Sequence, residues 1–358
     1  MKPSTRRRIK RRSFLFRRKL KVLRRLKRLR TAPVPSKRRK FSAMAPGDEW
    51  HLHVPKNILI LGRPGHTTMT NFLAELRQAF AHKTRAICVD FTATAKLFPE
   101  GLLLFYAELD RLVSVFQEKR VRCIPAANAT VDGVLQHLGI YKLLNHESPT
   151  PPTGDNVVGW KVHHAQQVDG NIFGPPIETL GLKTELAAQL FKGVSEAVTN
   201  VRHHAHLAQR KDGLKLPARQ EWWMFIHESD SKLYVAVCDL GIGIPRSLPI
   251  QHGWPAVSHA LHVMFGQQKR TDGRLIKAAL RLGRTRTDSE HRGMGFTDMI
   301  AVLSTMPESR MVIYSNHGAL TYNGSVQPPA LETHTFKNSV LGTIVVWHFP
   351  NEGTSREN

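Results

Sequence analysis

The residues best suited to chemistry form the run Asp239-Leu-Gly241-Ile-Gly243-Ile-Pro245, directly after the alternating segment LYVAVC. A carboxylate that closes a strand can accept a hydrogen bond from an exocyclic amine, and two glycines let backbone approach a flat base closely. Taken alone, the run also reads as a β-turn. Upstream, Glu196-Ala-Val-Thr-Asn200 and then His204-Ala205 fall in a long helical pattern, in which positions i, i+4 and i+8 share a face. That face offers a carboxylate able to act as a general base and an amide oxygen suited to the hard cation Mg²⁺. The competing reading is a solvated helix face. Downstream, Arg292-Gly293-Met294-Gly295-Phe296 introduces a helix, and the free N–H groups at such a start can receive phosphates. Gly342-Thr343 then opens the last apolar strand, with a hydroxyl beside an open stretch of backbone.

The elements that must position these residues are read from periodicity. Residues 50–145 alternate strand-like and helical segments (NILILG, TMTNFLAELRQAFAH, RAICVDF, GLLLFYAELDRLVSVFQEK, VRCIPA, TVDGVLQHLGI), which argues for a small α/β domain. Residues 146–180, with SPTPPTGDN and GNIFGPP, read as a linker. A second α/β domain covers 181–350. It opens on a helix from Lys183 to Gln209, continues through the strands WWMFIHE and KLYVAVCDL, and has helices near 255–265, 273–282 and 293–306. It closes on RMVIYSN, ALTYNG and GTIVVWHF, with a short tail at 351–358.

Length and composition suit two ordinary domains: 358 residues, 41% hydrophobic. The apolar runs are far short of the ~20 residues that span a bilayer. The three cysteines, Cys88, Cys123 and Cys238, lack CxxC spacing, so neither a disulfide framework nor a zinc site is expected and a reducing cytoplasm fits best. The formal charge of +24 is local. Residues 1–40 hold 20 of the 52 Lys and Arg and no acidic residue, which leaves 32 basic against 28 acidic residues in the remainder. Within the arm of residues 1–43, Leu20, Leu23, Leu26 and Leu29 would form a leucine stripe against a basic face if helical, a pattern that lies on anionic membrane or tracks nucleic-acid phosphates. A solvated disordered arm and a mitochondrial-type targeting peptide are the other readings, and translation starting at Met44 would remove the arm.

The order and spacing of the four chemical elements resemble the N, G1, G2 and terminal boxes of the GHKL ATPase superfamily, to which histidine kinases, anti-sigma kinases, Hsp90 and gyrase belong. The resemblance covers residues 180–350. It implies an α/β sandwich that binds ATP and Mg²⁺, with Asn200 on the metal, His204 in the same motif, and Asp239 on the adenine amine. Gly241 and Gly243 would line the base, Gly293 and Gly295 would meet the phosphates, Thr343 would lie near the adenine, and residues 246–291 would form the ATP lid. Sensor kinases of this family carry a phospho-accepting histidine followed by an acid on a helix hairpin; His163 and His164 in KVHHAQQ lack both. The HHAH run at 203–206 is not read as a metal site, because histidines at i, i+1 and i+3 of a helix do not converge on one ion.

Residues 50–145 are similar to the STAS domains of anti-sigma-factor antagonists, in which a strand ends in Asp and, eleven residues later, a Gly starts a helix, as Asp90 and Gly101 do here. The phosphorylatable serines of that family are replaced by Phe98-Pro99-Glu100, which points to a docking module with Glu100 as a permanent charge. Gly62-Arg-Pro-Gly65-His66-Thr67-Thr68 imitates a phosphate-binding loop but lacks its lysine and is read as a tight turn. Together these readings imply a cytoplasmic ATP- and Mg²⁺-binding regulator with a STAS-like domain before a GHKL domain. It would be a serine/threonine kinase or ATPase with Glu196 as base, or else a non-catalytic ATP-gated switch. A protein partner or substrate is expected, nucleic acid or anionic membrane through the arm is possible, and so is a homodimer.

Overall fold

The structure, a computed structural model, describes residues 49–83, 86–147, 157, 159–180, 182–216, 219–229, 232–284, 296–304, 308–324 and 330–350. The basic arm, Gly293, Gly295 and the C-terminal tail lie outside the described residues.

The N-terminal half runs β1 (Glu49–His53), β2 (Asn57–Ile58), α1 (Gly62–Ala81), β3 (Ala86–Asp90), β4 (Lys96–Leu97), α2 (Pro99–Val115), β5 (Arg120–Ile124), α3 (Ala129–His137) and α4 (Ile140–Leu143). Strands β1, β3 and β5 form a parallel sheet in that order, and β2 and β4 form a short parallel pair. The segment NILILG yields only the two residues of β2, because Gly62 already opens α1 with φ +71°. The imitation phosphate loop is therefore the start of this helix, and its His66 is buried and stacked on Phe336 at 3.9 Å.

The C-terminal half runs β6 (Trp160–Ala165), α5 (Gly170–Glu178), α6 (Thr184–Asn200), a π-helical turn Val201–Ala205, β7 (Trp222–Ser229), β8 (Lys232–Asp239), α7 (Ile244–His252), α8 (Trp254–Phe265), α9 (Asp272–Arg284), α10 (Phe296–Ser304), β9 (Arg310–Ser315), β10 (Gly318–Asn323), β11 (Ala330–Thr335) and β12 (Thr343–Pro350). Seven strands make one sheet in the order β11-β10-β9-β12-β8-β7-β6, with every pairing antiparallel. The stretch read as a linker thus supplies an edge strand and a helix. Asp169 caps α5 by accepting from the Asn171 N–H at 2.9 Å, and the helix is short enough to hold Pro175 and Pro176 near its end.

The period-2 alternation of the strands sends apolar side chains to both faces of this sheet. Met224, Ile226, Val235, Val237, Ile313 and Val345 pack with α5, α6 and α10. Trp223, Phe225, Ala236, Cys238, Tyr314 and Ile344 share one continuous core with α1 and α2. Helix α2 is buried almost all round, as expected of a helix held between two sheets. The two halves are therefore not separately cored domains: the N-terminal half covers a face of the seven-stranded sheet. Glu100 is buried in this arrangement at 4% exposure, and burial raises its pKa, which works against the permanent charge expected of it. No helix among the described residues is long and apolar enough to cross a membrane.

The join carries a test of stability. His66 is 1% exposed and neither ring nitrogen has a hydrogen-bond partner among the described residues. Burial, helped by the charge of His317, lowers its pKa from 6.5 to about 4. The folded state therefore resists a proton that the unfolded chain accepts, and stability falls as pH drops from 6.5 toward 4 and levels off below. His66 alone should account for about 2 kcal/mol between pH 7 and pH 5. Urea unfolding of His66→Phe, which keeps the ring stack, should show that much less loss over this interval than the unsubstituted protein.

Candidate functional site

At one end of the seven-stranded sheet, the register sets Trp222 opposite Asp239, Asp239 opposite Thr343, and Thr343 opposite Ser315. Alternation from Val237, Val345 and Ile313 puts Asp239, Thr343 and Ser315 on the face covered by α6. The row is bonded together. Asp239 Oδ1 accepts from the Gly241 N–H at 2.7 Å, and the Ser315 and Thr343 hydroxyls lie 3.1 Å apart. The Ser315 hydroxyl also donates to the Gly342 carbonyl at 3.1 Å and accepts from the Ile244 N–H at 2.9 Å.

Asp239 is 7% exposed, and burial pushes its pKa up from 3.8 to about 6. The Gly241 N–H, the Thr343 hydroxyl and N–H, and the charge of Arg210 oppose that rise without cancelling it. The carboxylate is ionised at neutral pH, but the fold holds its charge at a cost.

The loop after Asp239 is clamped on both sides. The Ile242 N–H donates to the Ala205 carbonyl at 2.7 Å, and the Asn316 side-chain amide donates to the Ile242 carbonyl at 2.8 Å. A Cβ on Gly241 would stand 2.3 Å from the Ala205 oxygen, and one on Gly243, where φ is +75°, would stand 2.6 Å from Asn316. Both glycines are thus required by the protein's own packing. Their fit against a flat base is a second use that this packing neither needs nor supplies.

The same clamp brings α6 to the row, since Ala205 ends the π-helical turn that continues this helix. Asn200 closes α6, and its amide donates to Glu196 Oε1 at 3.1 Å, so the expected carboxylate–amide pair does form on one face. His204 follows in the π-helical turn that continues α6, and its ring stands edge-on to His203 at 5.8 Å.

No family model and no curated protein matches this chain.

Of the remaining expected residues, Gly293 and Gly295 lie outside the described residues; α10, which follows them, packs on α6 through Met299, Val302 and Leu303. The described part of the expected lid, residues 246–284, is helical in α7, α8 and α9 around its own small core of Leu248, Val257, Leu275 and Ala278. His163 and His164 sit in strand β6 rather than in a helix hairpin, and His164 stacks on Trp223 at 4.9 Å. Glu49, His51 and Cys88 come within reach of one ion, but Arg122 already holds Glu49 through an Nε bond at 2.7 Å, and its charge would oppose a cation.

Sequence reasoning missed Ser315, Asn316 and Arg210. Ser315 and Asn316 end a strand that was legible, but their roles depend on loops far away in the chain. Arg210 donates from Nε to the Leu341 carbonyl at 2.7 Å and from NH2 to Glu108 at 2.6 Å, tying the start of β12 to α2. The buried carboxylate with hydroxyls beside it suits an amine, and the carboxylate–amide pair at the end of α6 suits a hard cation.

Proposed function

We propose that this chain binds ATP with Mg²⁺ on the α6 face of the seven-stranded sheet and is a regulatory protein of the GHKL type. In this reading its C-terminal half is a GHKL sandwich and its N-terminal half a STAS-like docking module. The observation that carries the proposal is Asp239, a buried ionised carboxylate at the end of a central strand that the fold itself would rather keep neutral. Such a group is better explained by a ligand than by stability. Asp239 would accept from the adenine amine, with Thr343 beside it. Asn200 would hold Mg²⁺ through its amide oxygen, and Glu196, bonded to Asn200, is positioned to take a proton from a water or a serine hydroxyl. Bound ATP supplies the transferable phosphoryl group. The retained Glu196 favours a serine/threonine kinase or ATPase of the anti-sigma kind over an ATP-gated switch without turnover.

Asp239→Asn tests the assignment through two readouts. ATP affinity should fall roughly ten- to a hundredfold, the value of one charge-assisted hydrogen bond. Stability should not fall with it. Because the folded pKa lies above the unfolded one, the charge of Asp239 costs stability that accumulates as pH rises from 3.8 to about 6 and persists at pH 7. A neutral side chain removes that cost, so the ligand-free variant should melt at or above the temperature of the unsubstituted protein. Calorimetric titration and a thermal melt check both. Unchanged ATP affinity in the folded variant would take Asp239 out of the pocket, and a large drop in melting temperature would make it a structural carboxylate.

A further inference from the structure

On the opposite face of the sheet, residues of α2, of the segment 206–216 and of β7, with Arg219, Leu240 and Gly241, line a half-open cavity of about 310 Å³. We propose that this cavity is a second binding site, distinct from the Asp239 face, and that it takes a small organic carboxylate.

The charges of its wall decide the sign of the ligand. Two carboxylates contribute to the lining, Asp212 and Glu221, but each side chain is only 1% exposed. Both are engaged: Asp212 by Arg111 at 2.7 Å, Glu221 by Arg219 at 2.9 Å and by Gln166 at 3.1 Å. Arg219 is 33% exposed, so the charge a ligand can reach is a guanidinium. A guanidinium presents five N–H donors in a fork, more than its bonds to Glu221 and Ser114 use. His206 adds a polar atom: its Nε2 is buried and has no hydrogen-bond partner among the described residues. Beside these two groups lie the half-buried Leu214 and Leu216.

One reachable guanidinium and an apolar wall match a ligand with a single negative charge and an apolar body. A cation would meet Arg219; Arg111 and Arg210 also line the wall but are 9% and 7% exposed and held by Asp212 and Glu108, so a phosphate dianion would find one accessible positive charge in place of the cluster of donors it needs. The volume is at the lower end for small-molecule sites and about twice that of a cavity that takes benzene, so a one-ring carboxylate fits inside it.

The experiment titrates the full chain with benzoate, with its neutral amide benzamide and with inorganic phosphate, read by calorimetry or by amide chemical shifts. Saturable benzoate binding at least about tenfold tighter than that of benzamide or phosphate is the expected result, since loss of a charge-assisted hydrogen bond is worth that factor. Arg219→Gln should weaken benzoate about tenfold. Leu216→Trp, which narrows the space and leaves every charge in place, should weaken benzoate binding and guards against a folding defect in the first variant. Asp239→Asn should leave benzoate binding unchanged, so the result stands whether or not ATP binds the other face. Benzamide or phosphate binding as tightly as benzoate, no saturable binding, or indifference to both Arg219→Gln and Leu216→Trp would overturn the proposal.

Discussion

Glu108→Gln is expected to lower the unfolding free energy by about 3–5 kcal/mol, the cost of removing one partner from a buried ionic network. Glu108 lies on α2 with a side chain at 0% exposure, and it receives Arg77 at 3.2 Å, Arg111 at 3.0 Å and Arg210 at 2.6 Å. Burial opposes its charge, but the charges of Arg210 and Arg77, the hydrogen bond from Arg210 and the charge of Arg111 together hold its pKa down at about 2. The amide keeps the shape and removes the charge, which leaves Asp212 as the nearest counter-ion for Arg111 and Arg210. The pH dependence has a definite sign. The contribution of Glu108 is complete above pH 4.5 and is lost as pH falls from 4.5 toward 2, below the window in which His66 acts. Since Arg77 lies on α1 and Arg210 beyond α6, both halves should lose stability together, in one transition. Chemical denaturation followed by Trp fluorescence measures this; a loss under about 1 kcal/mol, or two separated transitions, would show that the network does not join the halves.

The second large effect is on turnover. Glu196→Ala should retain ATP affinity and lose about 10²- to 10⁴-fold in the rate of hydrolysis or phosphotransfer, the range typical for a positioned general base. The Asn200 amide donates to the Glu196 carboxylate at the end of α6, and its oxygen is the donor that the proposed Mg²⁺ would take. Asn200→Asp should act on another quantity, Mg²⁺-dependent ATP binding, because it replaces that donor with a second carboxylate facing Glu196. Calorimetry with and without Mg²⁺, beside a turnover assay with candidate protein substrates, separates the two effects. A chain that binds ATP but turns it over with no partner would sink the enzymatic reading and leave the ATP-gated switch.

Most of the strands and helices were legible because their signals are local. LYVAVC alternates with period 2, the helix from residue 184 repeats apolar positions on one stripe, and Asp239 with its glycines follows directly on a strand. Glu196 and Asn200 could be paired from sequence because four residues make about one α-helical turn. The π-helical turn that carries His204 was not legible, since nothing in the composition of 201–205 announces it. Strand β6 and helix α5 were hidden by prolines and glycines that mark loops when no partner is in view; β7 and the Asp169 cap make them regular. The merging of the two halves into one core, the network of Glu108 with Arg210 at a separation of 102 residues, and the cavity behind Gly241 belong to the tertiary structure alone. Periodicity reports which side of an element is apolar, but it does not say which distant surface that side will meet, and the buried charges of this protein take their meaning from that meeting.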